Sequence, residues 1–333
     1  MSELRQNLVS GDWIIMAPER GRRPHDFLPK RKRRVPSPKA TCPMENLAAS
    51  GNLPILASYP NDARWEVVAI RNKYPALRHI DACAVPLKRG PYTALGGVGA
   101  HEMIVTRDHT KNFAHLSPRQ AVQVLLILQE RYRAFQEDPC LRYASTFFNW
   151  GETAGASLFH PHYQLLGLPI IPPNIASSIE GSRRYFKKHR RCVHCEMIAY
   201  EERVRKRVIA KNAGAIAVTP YVSRNPFGIR IFPRRHHSCF ERTPLADLRA
   251  VSAALQSCLR LTERHLNDPD FNFFIHTAPL TRQTYYRHYH WHIGVIPKVT
   301  IPAGFELSTG IDINTVDPDL AAHILRGERR RQR

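Results

Sequence analysis

Two segments of the chain carry a pair of histidines separated by one residue. They read FHPHYQLLGLP at 159–169 and YHWHIGVIP at 289–297. Side chains alternate between the faces of an extended strand, so His160 and His162 share one face, with Gln164 beside them. The same holds for His290 and His292. One such pair fits either two buried, hydrogen-bonded side chains or a metal-binding or catalytic site. Its recurrence in one chain calls for a common explanation.

The second half of the chain contains a complete set of ligands for a tetrahedral metal ion. Cys192 and Cys195 form a C-x-x-C pair, which lets two thiolates bind one ion from a single turn. His236 and His290 come from separate predicted strands. A redox pair is the alternative interpretation of the two cysteines. We predict zinc, because both histidines have equivalents at matched positions in the first half.

The first half offers a related but different set of ligands. Cys42, His109 and His160 correspond to three members of the second set, and Glu45 stands where another cysteine is expected. A carboxylate is a harder ligand than a thiolate, so this site should bind zinc more weakly. We therefore predict one tight zinc site in the second half and a weaker or absent one in the first.

The order of the predicted secondary-structure elements recurs along with the histidines. In the first half the hydrophobic pattern predicts strands at 12–17, 65–70, 101–106 and 144–149 and a helix over 117–136, opened by Ser-Pro. In the second half it predicts strands at 215–219, 227–232 and 271–276 and a helix at about 244–266. Before each long helix, VTRDHTKNF and FPRRHHSCF place His109 and His236 at equivalent positions. The chain is therefore interpreted as two copies of one unit.

The composition is that of a globular protein. Its 333 residues are enough for two ordinary domains or one duplicated domain, and 43% of them are hydrophobic. There is no apolar run of about eighteen residues and no secretory signal at the amino terminus, so we expect a cytoplasmic protein without membrane association. Seven cysteines with one close pair suggest reduced thiols, and Cys140, Cys239 and Cys258 are interpreted as packing residues.

The net charge of +21 is concentrated in short basic runs. These are PKRKRR (29–34), SRRYFKKHRRC (182–192), ERVRKR (202–207) and the carboxyl-terminal RGERRRQR. Such runs bind nucleic acid in some proteins, but no known RNA- or DNA-binding motif accompanies them here. A solvated basic surface is the favoured interpretation.

Four segments, in this order, resemble the galactose-1-phosphate uridylyltransferases and the similar ADP-glucose phosphorylases of the histidine triad superfamily. They are SGDWIIMAPERGRRPHDF, NKYPAL, NWGETAGASLFHPHYQ and HYHWHIGVIPKVTIPAGFELSTG, and the resemblance extends over nearly the whole chain. It implies an α+β fold of two tandem histidine-triad-like halves, here 1–175 and 176–333. Each half would be a mainly antiparallel sheet with packed helices. The resemblance also implies a homodimer with sites completed across the interface.

The resemblance also assigns roles to residues of the first histidine strand. His162 would be the nucleophile that accepts a nucleoside monophosphate from a nucleotide sugar, beside the metal ligand His160. Gln164 would donate a hydrogen bond to the transferred phosphate. Gly294 stands at the position equivalent to Gln164, so only the first half should be catalytic, and His292 should be structural or an extra ligand.

Further positions match the family's substrate-binding segments. They are Arg20 and Arg23 (a partner subunit's substrate), Asn72 and Tyr74 (nucleoside), Asn149, Gly155 and Ser157 (phosphates), and Phe305 and Glu306 (sugar hydroxyls). A solvated basic loop is the alternative for the two arginines, and a simple turn is the alternative for Asn149 and Ser157.

These features together predict a nucleotidyltransferase. The sequence favours a UDP-glucose–hexose-1-phosphate (galactose-1-phosphate) uridylyltransferase of galactose metabolism, with a nucleotide sugar and a sugar 1-phosphate as substrates. An ADP-glucose phosphorylase, with inorganic phosphate as acceptor, is the first alternative, because RPHDF, the C-x-x-C pair and AGFELSTGIDIN resemble that branch. An inactive, basic, nucleic-acid-binding relative is the alternative of a different class.

Overall fold

The computed structural model of the chain describes residues 1–21, 34–80 and 82–328, and it has the α+β fold expected from the sequence. The strands in these ranges are β1 Glu3–Gln6, β2 Trp13–Met16, β3 Ile55–Tyr59, β4 Val67–Arg71, β5 Pro86–Arg89, β6 Tyr92–Leu95, β7 Ala100–Thr106, β8 Tyr143–Trp150, β9 His162–Leu168, β10 Val208–Lys211, β11 Ala215–Val218, β12 Ile229–Pro233, β13 Phe271–His276, β14 His292–Pro297 and β15 Ile313–Asn314. The helices are α1 Pro118–Gln136, α2 Pro173–His189, α3 Val193–Val204, α4 Leu245–His265, α5 Gly304–Thr309 and α6 Pro318–Leu325.

Ten of these strands form one antiparallel sheet, in the order β10-β11-β12-β14-β13-β8-β9-β7-β4-β3. Five strands come from each half of the chain, and the second five repeat the first with the opposite direction across the sheet. The halves meet where β8 pairs with β13, with Phe147 opposite Phe274 and Phe148 opposite Phe273. The predicted recurrence of the strand order is therefore confirmed.

The two long helices α1 and α4 pack on one face of the sheet and hold one another in equivalent ways. Gln129 of α1 donates hydrogen bonds to the carbonyls of Phe240 and Thr243, in the turn before α4. Gln256 of α4 donates to the carbonyls of Phe113 and Leu116, in the turn before α1. These reciprocal amides satisfy buried carbonyls, so each helix fixes the start of the other.

The opposite face of the sheet carries two smaller apolar clusters and the histidine pairs. On β9, Tyr163 and Leu165 belong to the core beneath the helices, so His162 and Gln164 project to the other side. On β14 the corresponding core residues are Ile293 and Val295. The fold therefore positions both histidine pairs on the same face of one sheet, one pair in each half.

Smaller elements surround this sheet. Strands β1, β2 and β15 form a three-stranded sheet that brings the amino-terminal region next to residues 313–314, and β5 pairs with β6 in an exposed hairpin. Within the described ranges, no helix combines the length and apolar character needed to cross a membrane.

The expectation that all the cysteines are reduced is wrong for one pair. Cys83, which precedes the β5–β6 hairpin, forms a disulfide with Cys140 in the connection between α1 and β8. The packing role predicted for Cys140 is therefore also wrong. The two residues are 57 positions apart with no local pattern to relate them, so their proximity depends on the fold. Cys239 and Cys258 are free and buried, as expected for packing residues.

Candidate functional site

The first residue of β9, His162, has the hydrogen bonding of a nucleophilic imidazole. Its Nδ1 lies 2.9 Å from the carbonyl oxygen of His160, to which it donates a hydrogen bond. The lone pair of a neutral ring is then on Nε2. The side chain is only 6% exposed, and burial lowers its pKa below the usual value. His162 is therefore neutral at physiological pH, with one nitrogen available for attack.

Gln164 is held next to His162 by a residue that sequence reasoning missed, His101 on β7. The backbone N–H of Ala76 donates to His101 Nδ1 at 3.1 Å, so the proton of this ring is on Nε2. That nitrogen donates to Gln164 Oε1 at 3.0 Å. The amide oxygen of Gln164 is thereby engaged, and its NH2 group remains to donate to an anion. Strand alternation in HEMIVT could have identified His101, since β7 pairs with β9.

The loop between β8 and β9 is held by residues from the second half of the chain. Asn272 Nδ2 donates to Asn149 Oδ1 and to the carbonyl of Ala154, both at 2.8 Å. The loop turns at Gly155, whose φ of +86° is in the left-handed region that glycine adopts without strain. Asn149 lies one residue beyond the Phe148–Tyr163 pair, on the same sheet face as His162. Ser157 is exposed in the same loop.

The predicted ligands of the first metal site converge in the structure. His109 Nδ1 and His160 Nδ1 are 3.2 Å apart, and Cys42 Sγ is 3.5 Å from His160 Nδ1. Glu45 Oε1 is 2.9 Å from His109 Nδ1 and 3.6 Å from His160 Nδ1. All three of Cys42, His109 and His160 are buried, and their ligand atoms lie within 4.8 Å of one another.

The tautomers of these histidines indicate that a cation belongs between them. His109 Nε2 lies 2.7 Å from the carbonyl of Ser37, and His160 Nε2 lies 2.7 Å from that of Thr106. Donation from both Nε2 atoms leaves lone pairs on the two facing Nδ1 atoms, the arrangement by which a backbone carbonyl orients a metal-binding histidine. The buried Glu45 Oε1 also has no hydrogen-bond donor. Lone pairs and a carboxylate at these distances repel one another unless a cation separates them.

The spacing of the donor atoms agrees with tetrahedral zinc. Zn–N bonds of about 2.0 Å and Zn–S bonds of about 2.3 Å place two nitrogens roughly 3.3 Å apart and a nitrogen and a sulfur roughly 3.6 Å apart. The Nδ1–Nδ1 and Sγ–Nδ1 distances of the first cluster are 3.2 and 3.5 Å. Cys42, His109 and His160 therefore fit the ion, and Glu45 Oε1, 2.9 Å from His109 Nδ1, is the candidate fourth donor.

The second cluster has the same geometry with two thiols. Cys195 Sγ is 3.3 Å from His236 Nδ1 and 3.5 Å from His290 Nδ1, and all four ligand atoms, with Cys192, lie within 4.8 Å. His236 Nε2 donates to the carbonyl of Arg287 at 2.9 Å, which orients its Nδ1 inward. A hydrogen bond from Cys195 lowers the pKa of the Cys192 thiol. The lowered pKa favours the thiolate form that a metal ion requires.

The remaining predicted substrate residues fall into two groups. Asn72 lies at the end of β4 with Nδ2 3.1 Å from His101 Nε2, so it belongs to the surroundings of Gln164, and the neighbouring Tyr74 is 82% exposed. Arg20 and Glu306 instead line a separate cavity of about 270 Å³. Phe305 is exposed beside Glu306 on α5, and Arg23 lies outside the described residues.

The basic runs differ in their surroundings. In 202–207, Arg207 is buried and paired with Glu201 at 2.9 Å and with Asp319 at 2.8 Å, so it is part of the protein interior. Within 182–192, Arg183 is paired with Glu180 at 2.7 Å on α2. The run at 29–34, apart from Arg34, and the last five residues lie outside the described ranges.

Two family models match the sequence. One, described as the N-terminal domain of galactose-1-phosphate uridyl transferase, matches residues 1–172. The other, a domain of unknown function termed DUF4921, matches residues 91–328. Together they cover both halves of the chain.

The chain is similar to enzymes of two named activities. An ADP-glucose phosphorylase of Arabidopsis thaliana is 31% identical over 97% of this chain and 92% of its own length. A galactose-1-phosphate uridylyltransferase of Thermotoga maritima is 26% identical over 98% of each chain. The crystal structure of an Arabidopsis thaliana ADP-glucose phosphorylase with bound ADP-glucose matches with a TM-score of 0.82 at 28% identity, covering 98% of this chain and 99% of that one.

Proposed function

The chain belongs to the galactose-1-phosphate uridylyltransferase family of nucleotidyltransferases, and from this we propose that His162 transfers a nucleoside monophosphate from a nucleotide sugar to a phosphate-bearing acceptor. The observation that carries the proposal is the state of His162. Its Nδ1 is engaged by the carbonyl of His160, and its Nε2 has a lone pair on the same sheet face as the amide of Gln164.

The reaction proceeds in two displacements. His162 Nε2 attacks the α-phosphorus of the nucleotide sugar, an N–P bond forms, and the sugar 1-phosphate leaves with the bridging oxygen. After this product departs, a phosphate oxygen of the acceptor attacks the same phosphorus, and the N–P bond breaks to restore neutral His162. The Gln164 NH2 group donates to a non-bridging oxygen as charge develops there, and His101 positions it by holding Oε1.

Zinc has a structural part in this proposal. Cys42, Glu45, His109 and His160 would hold an ion in the first half, and Cys192, Cys195, His236 and His290 would hold one in the second. A bound ion would fix the backbone of His160, whose carbonyl orients His162.

Adenylyl transfer from ADP-glucose to inorganic phosphate is the favoured version of this reaction. It is supported by the 31% identity to an ADP-glucose phosphorylase, compared with 26% to the Thermotoga maritima uridylyltransferase. Uridylyl transfer from UDP-glucose to galactose 1-phosphate, which the sequence favoured, is the second candidate. It is supported by the family model that matches residues 1–172.

The proposal includes a homodimer in the cytoplasm. Arg20 and Glu306 line a cavity that does not include His162, which is consistent with their serving the partner's site, together with Arg23 and Phe305. Asn72, Tyr74, Asn149, Gly155 and Ser157 would bind the substrate of their own chain. Five of the seven cysteines are free, which favours a reducing compartment, whereas the Cys83–Cys140 disulfide points the other way.

The decisive experiment traces the transferred phosphate. The protein is incubated with ADP-glucose or UDP-glucose carrying 32P at the α-phosphorus, and acid-labile label on the protein is counted. We expect ADP-glucose to label the protein and inorganic phosphate to release that label as ADP. Initial rates measured with both substrates varied should give parallel lines in reciprocal plots. Preferential labelling by UDP-glucose, released by galactose 1-phosphate, would select the second candidate. Intersecting lines without labelled protein would remove His162 from the nucleophilic role.

A further inference from the structure

A second cavity lies in the second half, on the sheet face equivalent to that of His162. Its volume is about 380 Å³, within the usual size of small-ligand sites. It is lined by the loop after β1, the first turns of α2, and strands β12, β13 and β14. Its most relevant lining residues are Asp12, Ser177, His194, Arg230, His276 and His292.

The strand registers show how this cavity differs chemically from the first-half site. In the first half Gln164 lies between Met103 and Phe147 on neighbouring strands. In the second half, Gly294 lies between Arg230 and Phe274. Because paired residues share a face, Arg230 occupies the place of Met103. Compared with the first half, the second half therefore lacks the neutral amide donor and has a guanidinium on the neighbouring strand.

Arg230 has no acidic partner among the described residues. Burial lowers the pKa of Arg230, the nearby Tyr289 opposes this shift, and the neighbouring cation Arg224 lowers the pKa further. Arg224 itself pairs with Asp12, the acidic residue of the cavity wall. By contrast, the half-buried Arg131 pairs with Glu102 at 2.8 Å. Arg230 is half-buried, and a partly desolvated guanidinium without a counter-ion is stabilised by an anion bound beside it.

Further donors face the same space. His194 is 1% exposed, lines the cavity, and has a buried Nδ1 without a hydrogen-bond partner. Ser177 and Ser178 of α2 also line the wall, where Ser177 Oγ donates to the carbonyl of Ser10 at 3.3 Å and Ser178 Oγ lies 3.5 Å from the Tyr289 hydroxyl, so a bound anion would exchange with these long contacts. A guanidinium fork with nearby imidazole and hydroxyl donors matches the three acceptor oxygens of a phosphate group.

We propose that this cavity is a second ligand site, which binds the phosphate group of a small phosphorylated metabolite through Arg230. The site differs from that of the proposed transfer reaction and does not depend on it. Its ligand class is a phosphate monoester, and free phosphate shares the same recognition chemistry. The test therefore compares inorganic phosphate with glucose 1-phosphate and AMP.

Equilibrium dialysis of the full-length protein with each radiolabelled anion counts the sites per chain. Arg230→Met removes the charge, and Ser177→Tyr fills the cavity mouth from an exposed helical position. We expect each variant to lose one site per chain, through at least about tenfold weaker binding. Arg249→Met, an exposed arginine on α4, is the matched control and should bind like the wild type.

The three anions distinguish the source of the phosphate. Tighter binding of glucose 1-phosphate or AMP than of inorganic phosphate at the lost site identifies a monoester ligand, and equal or weaker binding overturns that part of the proposal. An unchanged number of sites in either folded variant overturns the site itself. If Arg230→Met does not fold, as judged by circular dichroism, Ser177→Tyr decides the question.

Discussion

The two histidine strands, β9 and β14, share a scaffold but not a chemical environment. In both, the second histidine of the pair directs Nδ1 at the carbonyl of the first, at 2.9 Å for His162 and 3.3 Å for His292. Both side chains are nearly buried, at 6% and 3% exposure. The difference lies two residues on, where Gln164 is replaced by Gly294. An oriented imidazole is thus common to both copies of the fold, whereas a side-chain amide two residues further on occurs in the first half alone.

For the metal clusters, it is the second half that has the additional functional group. Both have two histidines and a cysteine, but the second half adds Cys195 where the first has Glu45. The half with the proposed nucleophile therefore has the harder and weaker donor set. The proposals therefore assign the stronger metal site and the catalytic histidine to different copies.

Replacing the second histidine of each pair by asparagine should produce the largest difference in activity between the two halves. His162→Asn should lower nucleotidyl exchange by at least about a thousandfold, because no neighbouring group can replace the nucleophile. His292→Asn should keep exchange within a few fold of the wild type, although it loses a buried ring. Exchange is measured with a labelled nucleotide sugar, and folding by circular dichroism. Equal losses in the two variants would contradict the assignment of catalysis to the first half.

Gln164→Gly makes the first half resemble the second at the residue that distinguishes them. Loss of one donor to developing negative charge should lower kcat by about a hundredfold. His101→Phe, which leaves Gln164 in place but removes its partner, should have a smaller effect of about tenfold. Because the wild-type amide contacts charge that develops during transfer, its loss should lower kcat rather than raise KM. If Gln164→Gly retains full kcat, the amide does not act on the transferred phosphate.

The difference in zinc affinity can be tested by making the donor sets alike. During stepwise chelation of the wild type, we expect the first-half ion to leave first, with activity falling before the melting temperature. Glu45→Cys should strengthen that site by at least about tenfold, or roughly 1.4 kcal/mol. Metal content, activity and melting temperature are followed on the same samples. The proposed order is wrong if Cys42→Ser removes the tight ion and Cys192→Ser does not.

Much of this arrangement was predictable from the sequence because it depends on residues that are close together in the chain. The C-x-x-C pair, the spacing of the histidines and the amphipathic helices each follow from a short pattern, and their repetition indicated the duplicated fold. The clustering of Cys42, Glu45, His109 and His160 was likewise inferred from the matched order of the two halves. Here the structure agrees with the sequence because each copy constrains the interpretation of the other.

The features that were missed depend on pairing across the sheet. His101 contacts Gln164 only because β7 lies beside β9, and Arg230 lies next to Gly294 only because β12 pairs with β14. The Cys83–Cys140 disulfide joins segments 57 residues apart. Without the strand order, neither the register nor this proximity can be read from residue types.

The smallest expected effect concerns a titrating difference between the halves. On β13, His276 pairs with His292, and its first-half counterpart beside His162 is Asn149. Burial lowers the pKa of His276 to about 3, compared with about 6.5 in an unfolded chain. The unfolded state therefore binds more protons below about pH 6.5, so this histidine contributes full stability above that pH and progressively less as the pH falls toward 3.

His276→Asn should remove this pH dependence by copying the first half. Between pH 7 and pH 5, we expect the free energy of unfolding of the wild type to fall by about 1 kcal/mol more than that of the variant, after allowing for the partial exposure of the ring. Urea unfolding with zinc present at both pH values measures this difference and keeps metal loss out of it. His189→Asn, at an exposed position on α2, controls for removing a histidine where burial plays no part. A difference between wild type and His276→Asn that is the same at pH 7 and pH 5 would mean that His276 titrates normally in the folded protein. The cavity wall around it would then be wetter than its packing against Phe274 and His292 indicates.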